Sequence, residues 1–291
     1  MPQSINTNLV SLNAQRNLST SQSALATSMQ RLSSGLRVNS AKDDAAGLAI
    51  AERMSAQTRG MNVAMRNAND AISLAQTAEG ALGKVGDIFQ RMRELAVQAS
   101  NGTNSADDRT SLNEEFIQLS QEATRTLGGT QFNGRNILAA TATDATVFQI
   151  GANNDTALDR ISVDAFSWTA QANLTAVLGS AVLTGSETPT LQISGDNGTA
   201  AQAALGAIDT ALTAINSQRA NFGAVQNRFD NVVANLMVNS ENQSAARSRI
   251  MDADYASETA NLSRASILQQ AGNAMVAQAN QLPQQVLALL R

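Results

Sequence analysis

Cysteine and histidine are both absent from this 291-residue chain, and proline occurs only three times. Without thiols or imidazoles, the chain has no disulfides, no thiolate or histidine metal ligands and no histidine base for nucleophilic catalysis. Aromatic residues make up 3% of the sequence, whereas alanine occurs 51 times. Small apolar side chains and few helix breakers favour long helices packed side by side.

Positive charge and long apolar runs are also scarce. The chain carries 20 basic and 24 acidic residues, a formal net charge of -4, and only 2 of the basic residues are lysine. This balance argues against nucleic acid as a partner, because phosphate binding needs clustered Lys and Arg. No basic stretch followed by an apolar run occurs in residues 1–30, and no run approaches about 18 apolar residues, so we expect neither a cleavable signal peptide nor membrane insertion.

The two ends of the chain resemble each other in chemistry. From residue 1 to 30 the single charged side chain is Arg16, and from 265 to 291 it is Arg291. Apolar residues nevertheless recur in both segments at steps of three and four, with a mean near about 3.5, the repeat of a coiled coil. The predicted polymerisation seam consists of Leu18, Leu25, Met29, Leu32, Leu36, Leu268, Met275, Leu282, Val286 and Leu289.

Two interpretations of these ends remain open from the pattern alone. They are either a pair of amphipathic helices that closes an ordinary globular bundle, or a polymerisation device made from both termini. A charge-poor segment alone in water buries little apolar surface, so we expect both ends to be largely disordered in a monomer and helical against partners.

Between the ends, apolar spacing predicts further helices. Residues 45–99 form one long helical pattern, although each of its four central glycines costs about 1 kcal/mol relative to alanine. We expect packing to stabilise this helix and its glycines to allow close backbone approach. Ser105 with Asp108 resembles a capping box that begins a second helix, which Gly128-Gly129 ends. Helical spacing returns from Leu205 to Leu236.

The intervening segment has a different composition, rich in Thr, Gly, Asn and β-branched residues. Residues 146–150 and 161–163, separated by Gly and Asn, predict a β-hairpin. Residues 136–218 contain seven acids and one arginine, which is typical of a solvated, outward-facing region.

Candidate chemical sites are weak. Asp43-Asp44 and Glu114-Glu115 are carboxylate pairs, but without histidine, cysteine or a nucleophile elbow, solvated helix ends explain them better than acid–base catalysis. The Gly and Asn clusters at 128–136 match no phosphate-binding motif, so a turn is favoured there. We therefore expect no catalytic site, no metal site and no cofactor.

Several segments resemble bacterial flagellins, in the same order along the chain. They are Ile5–Asn8 (INTN), residues 11–40, Ala41–Ala51 (AKDDAAGLAIA), Arg66–Asp70 (RNAND), Gln90–Gln98 (QRMRELAVQ), Thr130–Gly134 (TQFNG) and Ser248–Gly272. The resemblance covers residues 1–155 and 200–291 and leaves little room for the large outer domain that many flagellins carry.

The helical pattern and the resemblance together predict a mainly α fold. It is a long antiparallel helical bundle or coiled coil in which the N- and C-terminal helices pair, with a small insert that contains the β-hairpin. Residues 1–43 with 256–291 are the expected terminal coiled-coil polymerisation domain. Residues 44–160 with 200–255 form the helical core domain, and residues 161–199 form a small, variable, surface-exposed insert.

The resemblance implies a structural subunit that leaves the cell unfolded through the flagellar secretion apparatus and polymerises into the extracellular filament used for swimming. Its implied partners are other copies of itself, the filament cap and hook-associated proteins, and an export chaperone that binds the C-terminal seam. Two alternatives remain: a hook–filament junction protein with similar terminal helices, and an enzyme grafted into a flagellin, for which a chain without histidine leaves little room.

Flagellins with the QRMRELAVQ type of segment are also ligands of the animal innate immune receptor Toll-like receptor 5. Arg91, Glu94, Leu95 and Gln98 share one helical face, which we expect to present an aliphatic anchor flanked by charges. The same face alternatively packs against a neighbouring protofilament. The matching positions in this sequence are Gln90, Arg91, Glu94, Leu95, Gln98 and, on the next helix, Glu115.

Overall fold

No proline occurs between residues 3 and 188, so nothing forces the backbone of this long region out of a helix. The computed structural model describes residues 7–138, 145–164, 166, 171–178 and 191–289, with side chains up to residue 281. The helices in these ranges are α1 (Leu9–Ser34), α2 (Ala45–Ala99), α3 (Ala106–Gly129), α4 (Ala172–Leu178), α5 (Thr199–Met251) and α6 (Tyr255–Leu289). The strands are β1 (Gln131–Phe132), β2 (Arg135–Asn136), β3 (Thr146–Gln149) and β4 (Arg160–Val163).

Local side-chain hydrogen bonds set where the helices begin and end. Asn8 caps α1 by accepting a hydrogen bond from the backbone N–H of Ser11 (3.1 Å), and Gly35 ends α1 with a φ of +71°. Ser105 and Asp108 form the predicted capping box at the start of α3. Side-chain capping satisfies N–H groups that the first turn of a helix leaves unpaired.

The chain divides into two compact units. The terminal unit consists of residues 1–58 and 241–291, and the central unit of residues 59–240. In the terminal unit α1 packs along α6, which confirms the predicted pairing of the N- and C-terminal helices. A small core of Val38, Ala51 and Met251 lies where an isolated antiparallel bridge joins Leu36 to Asp252.

In the central unit, α2 and α5 run antiparallel. Arg93 Nε donates to Asp209 Oδ1 (2.7 Å), and further along Gln226 Nε2 donates to Glu79 Oε2 (2.9 Å). Together with α3 these helices enclose the main core, whose largest fully buried side chains include Phe89, Phe116, Phe229, Leu82, Met92 and Leu95. The predicted mainly α fold with a helical bundle is thus confirmed.

The predicted β-hairpin is also confirmed. β3 and β4 pair antiparallel, from Thr146 opposite Val163 to Gln149 opposite Arg160. The hairpin docks on α2, where Asn67 Nδ2 donates to the Gln149 carbonyl (2.9 Å).

The glycines of α2 differ in their surroundings. A Cβ built on Gly60 would lie 2.7 Å from Ala152 Cβ at the hairpin tip, so close approach is real at this position. At Gly80, Gly83 and Gly86 nothing lies within 4 Å of such a Cβ, so the expectation of close backbone approach is wrong there.

The short elements β1, β2 and α4 were not predicted, although the turn expected within residues 128–136 is present at Asn133 and Gly134. β1 and β2 form a tight hairpin around Asn133 and Gly134, whose φ angles are +50° and +77°. Of the predicted insert 161–199, residues 165, 167–170 and 179–190 lie outside the described residues. The part that the structure describes includes α4 and buries Leu174 and Ile193, so it also supplies the central core.

Candidate assembly interface

The interface between α1 and α6 contains mostly small and polar side chains. Leu18, Leu25 and Leu32 are half-buried along α1, and a Cβ built on Gly272 of α6 would lie 3.1 Å from Leu18 Cδ1. At one end, Tyr255 Oη donates to the Leu32 carbonyl (3.2 Å). The most deeply buried side chains of this interface are Ser11, Ser28, Glu258, Ala265 and Ala279.

The structure divides the predicted polymerisation seam into residues that face the partner helix and residues that face outward. Leu18, Leu25, Leu32 and Leu36 are half-buried within the terminal unit. The remaining members with described side chains are exposed: Met29 by 57%, Leu268 by 51% and Met275 by 62%. The side chains of Leu282, Val286 and Leu289 lie outside the described residues.

Sequence reasoning missed further exposed apolar residues on the same two helices. They are Leu9, Val10 and Leu12 on α1 and Ile267 on α6. These residues could have been identified from the sequence, because they do not fall on the apolar positions that repeat every three and four residues and face the partner helix. An apolar side chain at any other position of a helix faces outward. Several exposed large apolar side chains on one helix pair indicate a site for protein–protein contact.

The second predicted face lies on α2 and α3 of the central unit. Arg91 Nε and Nη2 donate to Glu115 Oε1 (3.0 and 2.9 Å), and Arg91 Nη1 donates to Glu94 Oε2 (2.9 Å). Hydrogen bonds to Glu94 first and Glu115 second raise the pKa of Arg91. Gln90 and Gln98 are exposed on the same helix. The structure therefore brings these five predicted residues into one exposed polar region that bridges α2 and α3.

Leu95 does not belong to that exposed region. Its side chain is 1% exposed and packs in the main core, so the expectation of an exposed aliphatic anchor at this position is wrong. Because one helical turn takes about 3.6 residues, Leu95 shares the buried side of α2 with Met92 and Ala99 rather than the side of Arg91. Val97, exposed by 49%, is an aliphatic residue that this stretch of α2 does present to solvent.

The carboxylate pair before α2 has a structural role. Asp43 Oδ2 accepts hydrogen bonds from the hydroxyl and backbone N–H of Ser40 and from the N–H of Asn39, and these bonds lower the pKa of Asp43. Asp44 Oδ1 accepts from the Gly47 N–H (2.8 Å).

Within the described ranges, no cluster of three or more acidic, histidine or cysteine residues is arranged to hold a metal ion. Likewise, no described helix is long and apolar enough to span a membrane.

Two family models match the chain, on either side of the insert. Residues 5–143 match the bacterial flagellin N-terminal helical region, and residues 205–290 match the bacterial flagellin C-terminal helical region. These matches contain α1, α2 and α3 on one side and most of α5 and α6 on the other. They therefore include both candidate faces described above.

Relatives of full length support the same family. Flagellin from Halalkalibacterium halodurans is 47% identical over 287 residues, covering 99% of each chain. Flagellin from Bacillus subtilis is 43% identical over 305 residues, again covering 99% of each. A solved structure of a putative flagellar hook-associated protein from Vibrio parahaemolyticus has a TM-score of 0.59 over 72% of this chain and all of that one, but at 15% identity it shows a shared fold alone. The chain belongs to the bacterial flagellin family and is a structural subunit of the flagellar filament, not an enzyme.

Proposed function

We propose that this subunit polymerises through the outward-facing apolar side chains of α1 and α6. The observation that carries the proposal is the exposure of Met29, Ile267, Leu268 and Met275 on helices that have almost no charge. Contact between copies would remove these side chains from water while bringing few charged groups into the interface.

The expected energies are sufficient for a cooperative polymer. Full burial of a Leu or Met side chain contributes about 1.5–3 kcal/mol, so burying the exposed half of Leu268 or Met275 contributes about 1 kcal/mol. Each subunit of a helical polymer contacts several others, so the gains from individual side chains add up. Loss of one such side chain should therefore raise the critical concentration for assembly about fivefold.

Seeded assembly of purified full-length chain tests this assignment. Leu268→Ser and Met275→Ser should each raise the critical concentration, measured by sedimentation and electron microscopy. Gln270→Ser, at an exposed polar position of the same helix, is the matched control and should assemble normally. Normal assembly of both apolar variants would show that the polymer contacts lie elsewhere.

We infer that residues 1–43 with 256–291 form the polymerisation domain and gain helix when the filament forms. Low charge and small interface side chains support this, because an isolated helix pair of this composition has little to stabilise it in water. Circular dichroism of the full chain should show more helix per residue in the filament than in the monomer. Equal helix content in the two states would mean that the ends fold without neighbours.

Export in an unfolded state, through the flagellar apparatus to the cell exterior, is the proposed route to the filament. A chain without cysteine has no disulfides that would need reduction before passage through a narrow channel. The exposed Ile267, Leu268 and Met275 support capture of α6 by an export chaperone, and the growing filament would meet the cap and hook-associated proteins. A peptide of residues 256–291 should compete with the full chain for the chaperone; failure to compete would refute that assignment.

We also propose that the monomer is recognised by Toll-like receptor 5 through Gln90, Arg91, Glu94, Gln98 and Glu115. The exposure of these side chains and the ion pairs that order them support the proposal. Arg91→Ala should reduce activation in a reporter-cell assay, because truncation of a central interface arginine commonly costs about 2 kcal/mol, or about thirtyfold in affinity.

Two further variants sharpen the receptor assay. Arg125→Ala removes another exposed ion-paired arginine, the partner of Glu122 on α3, and should leave activation unchanged. Val97→Ser tests whether this exposed aliphatic residue takes the role that was expected of Leu95. Full activation by Arg91→Ala would place the receptor site elsewhere, whereas reduced activation together with weakened filaments would show that receptor and protofilament contacts share residues.

A further inference from the structure

One row of side chains on each helix of the α1–α6 interface repeats every seven residues. Leucine recurs in a half-buried row of α1, and a small residue recurs in a buried or half-buried row of α6. The members are Leu18, Leu25 and Leu32 in the first row and Ala265, Gly272 and Ala279 in the second. A slide of α6 by seven residues, about 10.5 Å along the helix, therefore sets another small residue against each leucine. Packing between these two rows does not distinguish the two alignments, although Leu262, Gln269 and Val276 form a second half-buried row of α6 that lacks this repeat.

Polar contacts at the far end of the interface do not distinguish them either. Ser11 Oγ donates to Asn280 Oδ1 (2.7 Å), but Asn273 lies seven residues earlier and presents the same amide after a slide. Asn8 Nδ2 donates to the backbone carbonyl of Ala279 (2.7 Å), an acceptor that any residue supplies.

Glu258 breaks this equivalence. It occupies the same heptad row as Ala265, yet it carries a charge and is 7% exposed, and its Oε2 lies 3.9 Å from Nη1 of Arg31. In the sequences of residues 9–34 and 255–289, Glu258 is the sole acidic residue. A slide of one heptad would move its carboxylate beside Ala24 or beyond Ser34, away from the guanidinium. A buried carboxylate without a cationic partner is strongly disfavoured.

We propose that the ion pair between Arg31 and Glu258 selects the register in which α1 and α6 pair. A single polar residue at a core position sets the register of coiled coils by the same principle, because every other alignment leaves it unpaired. Backbone hydrogen bonds also tether the adjacent ends, since Ala253 N–H donates to the Gly35 carbonyl (2.9 Å). These backbone bonds do not depend on which side chains are present. A slide would also break the hydrogen bond from Tyr255 Oη to the Leu32 carbonyl (3.2 Å), but loss of the ion pair is the change that leaves a buried carboxylate without a cationic partner. This role concerns a contact within one chain, so it holds whichever outward-facing side chains carry the proposed polymer contacts.

Pairs of introduced thiols can report the register, because the natural chain has no cysteine. Ser11→Cys with Asn280→Cys reports the observed alignment, and Ser11→Cys with Asn273→Cys reports a slide of one heptad. Each pair is placed in the full chain, co-assembled with an excess of unmodified chain, and treated with a short bifunctional thiol reagent. Products that keep the mass of one chain on a denaturing gel are intramolecular, and the soluble fraction is measured in parallel.

The test measures the ratio of the yield of the crosslink between positions 11 and 280, which reports the observed register, to the yield of the crosslink between positions 11 and 273, which reports the slide. Glu258→Gln, which keeps the shape but removes the charge, should lower this ratio about tenfold, and the swap Arg31→Glu with Glu258→Arg should restore it. Arg16→Gln, at an exposed charge of α1, should leave it unchanged. An unchanged ratio in Glu258→Gln overturns the proposal. An equal loss of both products, or a swap that fails to restore the ratio, also overturns it, because the pair would then support stability and not register.

Discussion

Arg109 offers a sharp test of how the central unit holds the chain that returns from the insert. This arginine lies in α3 with 3% of its surface exposed. Its guanidinium donates to the carbonyls of Ala99 (2.9 Å), Asn101 (3.2 Å) and Asp196 (3.1 Å), and over a longer distance to that of Gly195 (3.4 Å). Ala99 is the last residue of α2, where carbonyl groups have no partner within the helix and favour a cation. One side chain thereby ties the end of α2 to residue 196.

Replacement of Arg109 by Met keeps much of the apolar stem and removes all four hydrogen bonds. A buried carbonyl left without a donor destabilises the fold by about 1–3 kcal/mol. We expect this full cost at the Ala99 carbonyl and about half of it at each of the carbonyls of Asn101 and Asp196, whose hydrogen bonds are partly buried. Removal of a buried charge offsets part of this cost. We expect the free energy of unfolding to fall by about 2–3 kcal/mol, or about 30- to 150-fold in the equilibrium constant.

Urea denaturation followed by circular dichroism measures the loss, and amide hydrogen exchange locates it. Exchange should accelerate most at Ile193, whose N–H donates to Asn113 Oδ1 (2.8 Å) one turn along α3. Arg125→Met is the matched control, since Arg125 is exposed and is paired with Glu122 one turn away on the same helix. If Arg109→Met changed stability and exchange no more than Arg125→Met, the guanidinium would not be what holds this junction.

Three further outcomes follow from local geometry. Gly83→Ala should stabilise the central unit by about 0.5–1 kcal/mol in urea denaturation, because its Cβ meets nothing within 4 Å and alanine favours the helix. Gly60→Ala should instead destabilise it, since the new Cβ would collide with Ala152, and a gain in stability would refute the close packing at the hairpin tip. Hydrogen bonds from the side chain of Ser105, and secondly from its N–H, lower the pKa of Asp108 below its ordinary value of 3.8. The ionised carboxylate therefore stabilises α3 above pH 3.8, and this stabilisation is lost as the pH falls through the lowered pKa. Hydrogen exchange at the start of α3 should therefore accelerate in acid, and Asp108→Asn should remove this pH dependence; an unchanged acid profile in that variant would show that another group titrates.

Repeating patterns along the sequence predicted the long elements well. The apolar repeat over residues 45–99 matches α2 residue for residue, and the turn chemistry of Ser105 and Asp108 placed the start of α3. Both signals are local, since a helix needs only a periodic apolar face and a satisfied first turn. The tight hairpin at Asn133-Gly134 also has a local sequence pattern, the Asn-Gly turn, but each of its strands has only two residues. Two residues are too few to show the alternation of apolar and polar side chains that identifies a strand.

Contacts between distant residues could not be read in this way. Whether a glycine is close-packed depends on what the fold sets beside it, so Gly60 and Gly83 look alike in sequence and differ in structure. Ser28 and Glu258 are polar and nonetheless buried, because the space between α1 and α6 admits small groups and one ion pair. Their burial follows from the identity of the partner helix, which is absent from any local pattern.

Leu95 shows how a small angular error changes a functional interpretation. Steps of three and four residues along a helix each return to nearly the same side, so spacing alone predicts that a residue four positions after Arg91 shares its face. The offset of about 40° that four residues accumulate is nevertheless enough, at the edge of an apolar stripe, to move a side chain from solvent into the core. Arg91 pairs with Glu115 on the surface of α2 and α3 while Leu95 packs in the main core, and both positions follow from the same helix phase. The proposed recognition surface can therefore use the exposed charged residues and Val97 but not Leu95.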